Sequence, residues 1–343
     1  MTGDRASQPQ VRTGLVTTII PVYNRPDLLQ DAAASVLAQT YEPVEILIVD
    51  DGSTDETGAV ADRLAATHPM QIRVIHQANG GPGVAREAAR LAARGEFVQY
   101  LDSDDLLAPT KFERQVAGLR SRRDCGVSYG MTRHYELGSV PSDNPWKRTG
   151  EEIATMFPSF LRSRWWGTST PLYRRSLLDR AGPWLRLRNE EDWEYDCRLA
   201  TQGVRLHYCR EFVSDQRYDF PTALSAKGST DPAKLRDRAR AHTLIYRHAR
   251  AAGIEPSAAE MVHFARELFL LARQCGAVGL STESQTLFSL SRQASEDHVS
   301  RGWDYRLYAL LTRVFGWTLI GRLAVASDRL RSLFGRRSRL DGS

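Results

Sequence analysis

Apolar residues come in short continuous runs through the first third of the chain. "LVTTII" (15–20), "EPVEILIVD" (42–50), "QIRVIH" (71–76) and "EFVQYLD" (96–102) are rich in β-branched residues and end at polar turns. Runs of this length predict strands buried on both faces. Between them apolar positions recur at helical spacing over Asp27–Gln39, Thr54–Thr67, Val84–Arg94 and Thr110–Arg120. Ser53 with Glu56 three residues on reads as a capping box opening the second helix. Strands alternating with helices of about a dozen residues predict βαβ units, a parallel sheet and an α/β, Rossmann-like αβα sandwich.

From about residue 126 the pattern loosens. "NEEDWEYDCRLATQG" (189–203) reads as a helix with acids at its amino end and Gly203 as its stop. Beyond about residue 235 the chain reads as helical, with Met261–Val278 as the core of a helical appendage or an oligomer contact. Residues 1–14 read as a disordered leader. The expected organisation is that leader, a catalytic domain over 15–225, and a helical extension over 226–343 with a basic amphipathic end.

Composition changes this little. The 343 residues are 42% hydrophobic and 25% charged, ordinary globular values. The net charge of +5 is uneven. Residues 236–343 carry about +7, which leaves the rest slightly acidic and argues against nucleic acid as a partner. Cys125, Cys197, Cys209 and Cys275 have neither metal nor redox spacing and read as buried thiols. With no signal-like start and no uninterrupted span, the expected location is the cytoplasm.

Chemistry concentrates where strands end. In a sheet of this kind the loops after the strands gather along one edge, and ligands bind there. "DSDD" (102–105) puts three carboxylates in four residues. A solvated turn explains them; so does a hard divalent cation, which prefers oxygen ligands and takes the rest from water and phosphates. In "VDDGSTD", Asp50 and Asp51 close a strand. Capping needs one acid there, and the second could accept from nucleobase N–H groups. Tyr23 of "PVYN" packs, or offers a stacking face to a base. "NGGPGVARE" (79–87) lacks the third glycine of a dinucleotide fingerprint, holding Arg86 there.

Taken in order, "TTIIPVYN", "EILIVDDGSTDET", "GGPGVARE", "GEFVQYLDSDDLLAP" and "NEEDWEYDCRLATQG" resemble a family 2 glycosyltransferase of GT-A fold over residues 15–220, about 60% of the chain. The resemblance implies an inverting, nucleotide-sugar-dependent hexosyltransferase that uses Mg²⁺ or Mn²⁺. It implies that Pro21 and Tyr23 line the nucleobase pocket and that Asp51, with Asp50 beside it, recognises the base. Arg86 lies near the nucleotide. Asp102 faces the ribose and metal, Ser103 is nucleotide-binding, Asp104 is the metal ligand of the DXD motif, and Asp192 is the catalytic base. Two positions depart from the family: Glu87 replaces an Asn, and in "QRYDFPTALS" (216–225) Asp219 replaces a His. Arg217 takes the diphosphate role there.

The expected partners are a nucleotide-sugar donor and a glycan or glycolipid acceptor, in cell-surface polysaccharide or glycolipid synthesis. The rival is an inactive sugar-nucleotide-binding or scaffolding protein on the same fold. In 303–343, Leu307, Leu310, Leu311, Val314, Phe315, Thr318 and Leu319 keep helical spacing, and Arg329, Arg331, Arg336, Arg337 and Arg339 follow. This fits peripheral contact with the inner face of the plasma membrane, and equally a helix packed on the catalytic domain.

Overall fold

The computed structural model describes residues 9–218, 231–295 and 302–340, with the side chains of the last helix described to Asp328. The chain divides into two compact units, Met1–Met156 with Arg164–Ala223, and Phe157–Ser163 with Leu224–Ser343.

The first unit is an α/β fold of GT-A type. Its elements begin with β1 (Arg12–Val22), α1 (Pro26–Leu37), β2 (Val44–Asp50), α2 (Thr57–Thr67), β3 (Ile72–His76), α3 (Pro82–Ala92) and β4 (Gly95–Tyr100). They continue with β5 (Leu106–Leu107), α4 (Lys111–Ser121), β6 (Cys125–Glu136), β7 (Leu172–Arg174), α5 (Arg175–Ala181), α6 (Glu191–Ala200) and β8 (Arg205–Tyr218). β1 starts at Arg12, so the last residues read as leader belong to the sheet; residues 1–8 lie outside those described.

The eight strands run in the order β3-β2-β1-β4-β7-β6-β8-β5. β1 pairs in parallel with β2 on one side, Ile19 opposite Leu47, and with β4 on the other, Ile19 opposite Tyr100. Strand order therefore reverses beside β1, and a crevice opens at the carboxyl ends there. The expected all-parallel sheet holds only for this half. β7 runs antiparallel to both neighbours, with Tyr173 opposite Val98 of β4 and Val127 of β6. β6 and β8 pair in parallel over a bulged register, and β5 is antiparallel to β8. β7 is three residues long, too short to show a period. Ile20, Ile46, Ile48, Phe97, Leu101 and Phe112 form the core between sheet and helices.

The second unit contains α7 (Pro232–Ala251), α8 (Ala259–Ala277), α9 (Ser281–Ser295) and α10 (Trp303–Leu340). Asp231 caps α7, its side chain accepting from Ala233 N. Met261, Phe264, Leu268 and Phe269 of α8 are buried, so this segment is core of the unit. Phe269 stacks on Tyr305 with ring centroids 3.9 Å apart. The tail helix packs on α8 within this unit, and it breaks at Gly316, whose φ is 79°.

Candidate active site

Four turns at the carboxyl ends of β1, β2, β3 and β4 are tied together by hydrogen bonds. Asn24, in left-handed backbone, accepts from Thr54 N at 2.8 Å, and its own N–H donates to Ser53 Oγ at 3.0 Å. Arg25 N donates to Thr57 Oγ1 at 2.9 Å. Ser53 thus serves the neighbouring turn and not a capping box; α2 starts later, at Thr57, whose N–H donates to Asp55. Tyr23 stands 46% exposed at this edge, while Pro21 is buried at the end of β1.

The two acids after β2 have different partners. Asp51 is buried and accepts from Gln77 Nε2 (2.7 Å), Gly80 N (2.9 Å) and Gly81 N (2.8 Å). It anchors the loop that leads into α3. Asp50 accepts from Ser53 N at 3.0 Å and pairs with His76 Nδ1 at 3.0 Å. A side chain at Gly58 would come within 2.9 Å of Asp50 Oδ2, so this glycine makes room for the carboxylate. Asp50 is thereby committed to binding β2 to β3 and to the turn before α2.

Three arginines and a serine answer the crowding of "DSDD". Asp102 Oδ1 accepts from Arg86 Nη2 at 2.7 Å, and Asp104 pairs with Arg25 Nη1. Asp105, 1% exposed, accepts from Ser169 Oγ at 2.5 Å and from Arg217 N at 3.2 Å. Burial pushes the Asp105 carboxyl well above the ordinary range, and the charges of Asp104 and Asp102 reinforce this. Ser103 is buried between them. Arg217 donates from Nε to Asp104 O (2.7 Å) and from Nη1 to Asp31 (2.8 Å), leaving Nη2 buried with no partner among the described residues. Asp219 lies outside the described residues.

The turn fits a hard divalent cation on the chemistry of its donors. Asp102 and Asp104 present carboxylate oxygens and keep 28% and 32% side-chain exposure. Among the described residues no group of three or more His, Cys, Asp and Glu is placed to hold a metal ion by itself. The fit is therefore to an ion that takes most of its ligands from water and phosphate. The unpartnered Arg217 nitrogen is a ready donor for an anion beside it.

Arg86 joins this turn to α6. It is 4% exposed, bonds Asp102 with one nitrogen and Glu191 Oε1 with another at 2.8 Å, and lies over the Trp184 ring at 4.9 Å. A side chain at Gly83, on the preceding turn of α3, would come within 2.5 Å of Leu185 O, so the glycine permits the approach. Glu87 holds Arg90 through two 2.8 Å bonds and accepts from Trp184 N at 3.1 Å. That pins the segment leading to α6, a structural use for the departure from the family pattern.

Next to Glu191, Asp192 keeps 29% side-chain exposure and accepts from Arg164 Nη1 at 2.5 Å and from Trp193 N at 2.7 Å. Burial pushes its carboxyl up, but Arg164, then Arg86 and Lys147, outweigh burial and hold it below the usual carboxylate range. Arg164 is itself fixed: Nε donates to Asp196 at 2.7 Å, and Asp196 also accepts from Trp166 Nε1 (3.1 Å) and Tyr173 OH (2.8 Å). Lys147, in left-handed backbone, sets its ammonium 3.3 Å from Trp166 O and 4.3 Å from the Trp146 ring centre. Much of that residue is exposed, yet burial of its end and the nearby Arg164 charge lower it to about 8.

Sequence reasoning missed Arg25, Arg164 and Lys147. Arg25 directly follows "PVYN", so its position at the strand tip was available. Arg164 lies 28 residues before Asp192 in an irregular segment, and no local pattern marks it.

The sheet is of GT-A type, with an acidic turn after β4 and an acid-led helix beside it. The glycosyl transferase family 2 model matches residues 17–177, and over this stretch the chain is similar to that family. An uncharacterized glycosyltransferase of Nostoc sp. is 43% identical over 174 residues, 49% of this chain and 53% of that protein. The uncharacterized glycosyltransferase EpsJ of Bacillus subtilis is 40% identical over 175 residues, 49% of this chain and 50% of that protein. The chain thus spans about half the length of the curated relatives it matches. Among solved structures, S. aureus TarS 1–349 is similar with a TM-score of 0.65 at 20% identity, covering 92% of this chain and 91% of that one. The mannosyltransferase PcManGT of Pyrobaculum calidifontis, solved with GDP-Man and Mn²⁺, gives 0.52 at 18% identity, covering 90% and 86%.

Proposed function

We propose that the chain is a metal-dependent inverting glycosyltransferase, moving a sugar from a nucleotide-sugar donor to a hydroxyl of a glycan or glycolipid acceptor. One observation carries the reading. Arg86 bonds Asp102 and Glu191 at once, so the acidic turn and the residue beside Asp192 lie within one guanidinium of each other.

In this reading Tyr23 stacks on the base, and Asp51 reads it with the lone pair of Oδ2 left by its loop contacts. Arg217 Nη2 contacts the diphosphate. A divalent cation, Mg²⁺ or Mn²⁺, would be held by Asp104 with Asp102 beside it and would offset the charge growing on the departing diphosphate. An alcohol is a poor nucleophile, so its proton must leave as attack proceeds. Asp192 takes that proton. Its depressed carboxyl is ionised near neutrality and so able to accept, and Arg164 and Thr168 fix its orientation. Attack opposite the leaving diphosphate inverts the anomeric carbon without a covalent sugar–enzyme intermediate. Synthesis at the inner face of a membrane belongs to the same reading, supported by the length and composition of Trp303–Asp328.

The test measures nucleotide release from UDP-, GDP- and dTDP-sugars with Mg²⁺ or Mn²⁺ and a panel of glycan acceptors. Asp192→Asn should lower turnover by about 10²–10⁴-fold while nucleotide still binds. Near-normal turnover in that variant removes Asp192 as the base. Donor binding without release for any acceptor would favour the inactive binding protein.

A further inference from the structure

Helix α10 has two apolar faces. One is spent inside its own unit: Tyr305, Tyr308, Thr312 and Ile320 are 5% exposed or less. There the backbones of Gly321 and Gly276 meet so closely that a side chain on Gly321 would come within 2.5 Å of Ala277 N. Arg273 bonds Asp328 at 2.5 Å along the same side.

Among the described residues the opposite face has no such cover. Trp303, Leu307, Leu310 and Val314 are 78%, 39%, 60% and 66% exposed, and their steps of four, three and four residues make one stripe. Past the break at Gly316, Leu319 and Leu323 continue the exposed apolar surface at 48% and 58%. Arg306 and Arg313, two helical turns apart, flank the stripe along one edge, and Arg322 is exposed on the second segment. The acids of this stretch are used elsewhere: Asp304 bonds Arg266, and Asp328 bonds Arg273. The backbone stays helical to Leu340, and the sequence there adds Arg329, Arg331, Arg336, Arg337 and Arg339; their side chains lie outside those described.

From this arrangement we infer that the outer face of α10 docks on an anionic lipid surface, with the helix lying in the interface plane. This deepens the membrane part of the reading above and rests on it. An apolar stripe edged by arginine is the pattern of an interfacial helix, and a tryptophan at its start suits the headgroup level. A second copy of the chain fits less well. Two such faces would bring arginine rims together, with Asp304 and Asp328 already engaged. The 26 residues Trp303–Asp328 are long enough to cross a bilayer and contain an 18-residue stretch of mean hydropathy 1.3. Three arginines within them and a face committed to α8 favour lying on the membrane over crossing it.

The experiment floats the full chain with vesicles of phosphatidylcholine alone or mixed with phosphatidylglycerol, at low and high salt. The wild type should float with the mixed vesicles only, and less so at high salt. The surface variants Leu310→Ser/Val314→Ser/Leu323→Ser and Arg306→Gln/Arg313→Gln/Arg322→Gln should each lose at least tenfold in partitioning. The inference fails if the wild type stays unbound. It fails equally if light scattering finds a dimer that the apolar variant dissolves, or if only detergent releases the chain from the vesicles. Nucleotide release is followed in parallel. Release without flotation removes the lipid surface and leaves the transferase reading intact; flotation without release does the reverse.

Discussion

Replacing Arg86 by methionine tests the link on which the site reading depends. The substitution keeps the packing over Trp184 and removes two ion pairs. Glu191 is 7% exposed and would be left buried without a cation, a situation that costs about 3–5 kcal/mol. Asp102, with 28% of its side chain exposed, can turn to water, and its pair is worth only about 0–1 kcal/mol. The expected loss is therefore about 3–5 kcal/mol, nearly all from Glu191. Adding Glu191→Gln should restore about 2–3 kcal/mol as coupling energy, whereas adding Asp102→Asn should restore under about 1 kcal/mol. Urea unfolding at neutral pH reads these as shifts in midpoint at constant slope. The sign with pH follows from Glu191. Burial, helped by Asp192 and opposed by Arg86, raises its carboxyl above the ordinary value. The folded form thus holds the proton more tightly, and that contribution is lost as pH rises through the folded value. Without Arg86 the deficit should shrink on acidification. Equal coupling to both acids, or a loss below about 1 kcal/mol, would refute the view that a buried guanidinium unites the two motifs.

Three other outcomes are expected. Arg164→Gln removes the charge that holds the Asp192 carboxyl down, so the acid limb of the rate profile should move toward neutrality, with proton affinity rising about tenfold or more; an unmoved limb in a folded variant would show that Arg164 does not act on Asp192. Asp104→Ala should lose at least tenfold of the Mg²⁺- or Mn²⁺-dependent gain in UDP or GDP affinity, read by calorimetry, with binding in chelator little changed. Gly83→Ala should destabilise by about 1–3 kcal/mol through collision with Leu185 O, lowering the melting temperature by several degrees.

The front half of the sheet was legible because each of its strands is a continuous apolar run closed by a polar turn. β7 was not, because three residues carry no period and its place between β4 and β6 is a long-range choice. The same division holds at the site. Asp51, Asp102, Asp104 and Asp192 stand in quoted motifs at element ends, and local order places them. What balances them comes from afar: Arg25 is 79 residues from Asp104, Arg86 is 105 from Glu191, and Arg217 is 186 from Asp31. No window on the chain joins such partners. Ser53 shows the reverse error, since a capping box was the best local account and a cross-turn bond to Asn24 prevailed.

The bonds from Asn24 and Arg25 to Ser53, Thr54 and Thr57 have a bearing on affinity. They immobilise the two strand tips while the chain folds, before any guest arrives. In the proposed reading, a nucleotide stacking on Tyr23 would meet a finished floor, and its association would be spared the roughly 0.5–1.5 kcal/mol per side chain that ordering a loose rim would consume. On the proposed reading, cutting one of these stitches, as in Asn24→Ala, should weaken nucleotide capture through entropy, since Asn24 is not among the residues assigned to the nucleotide.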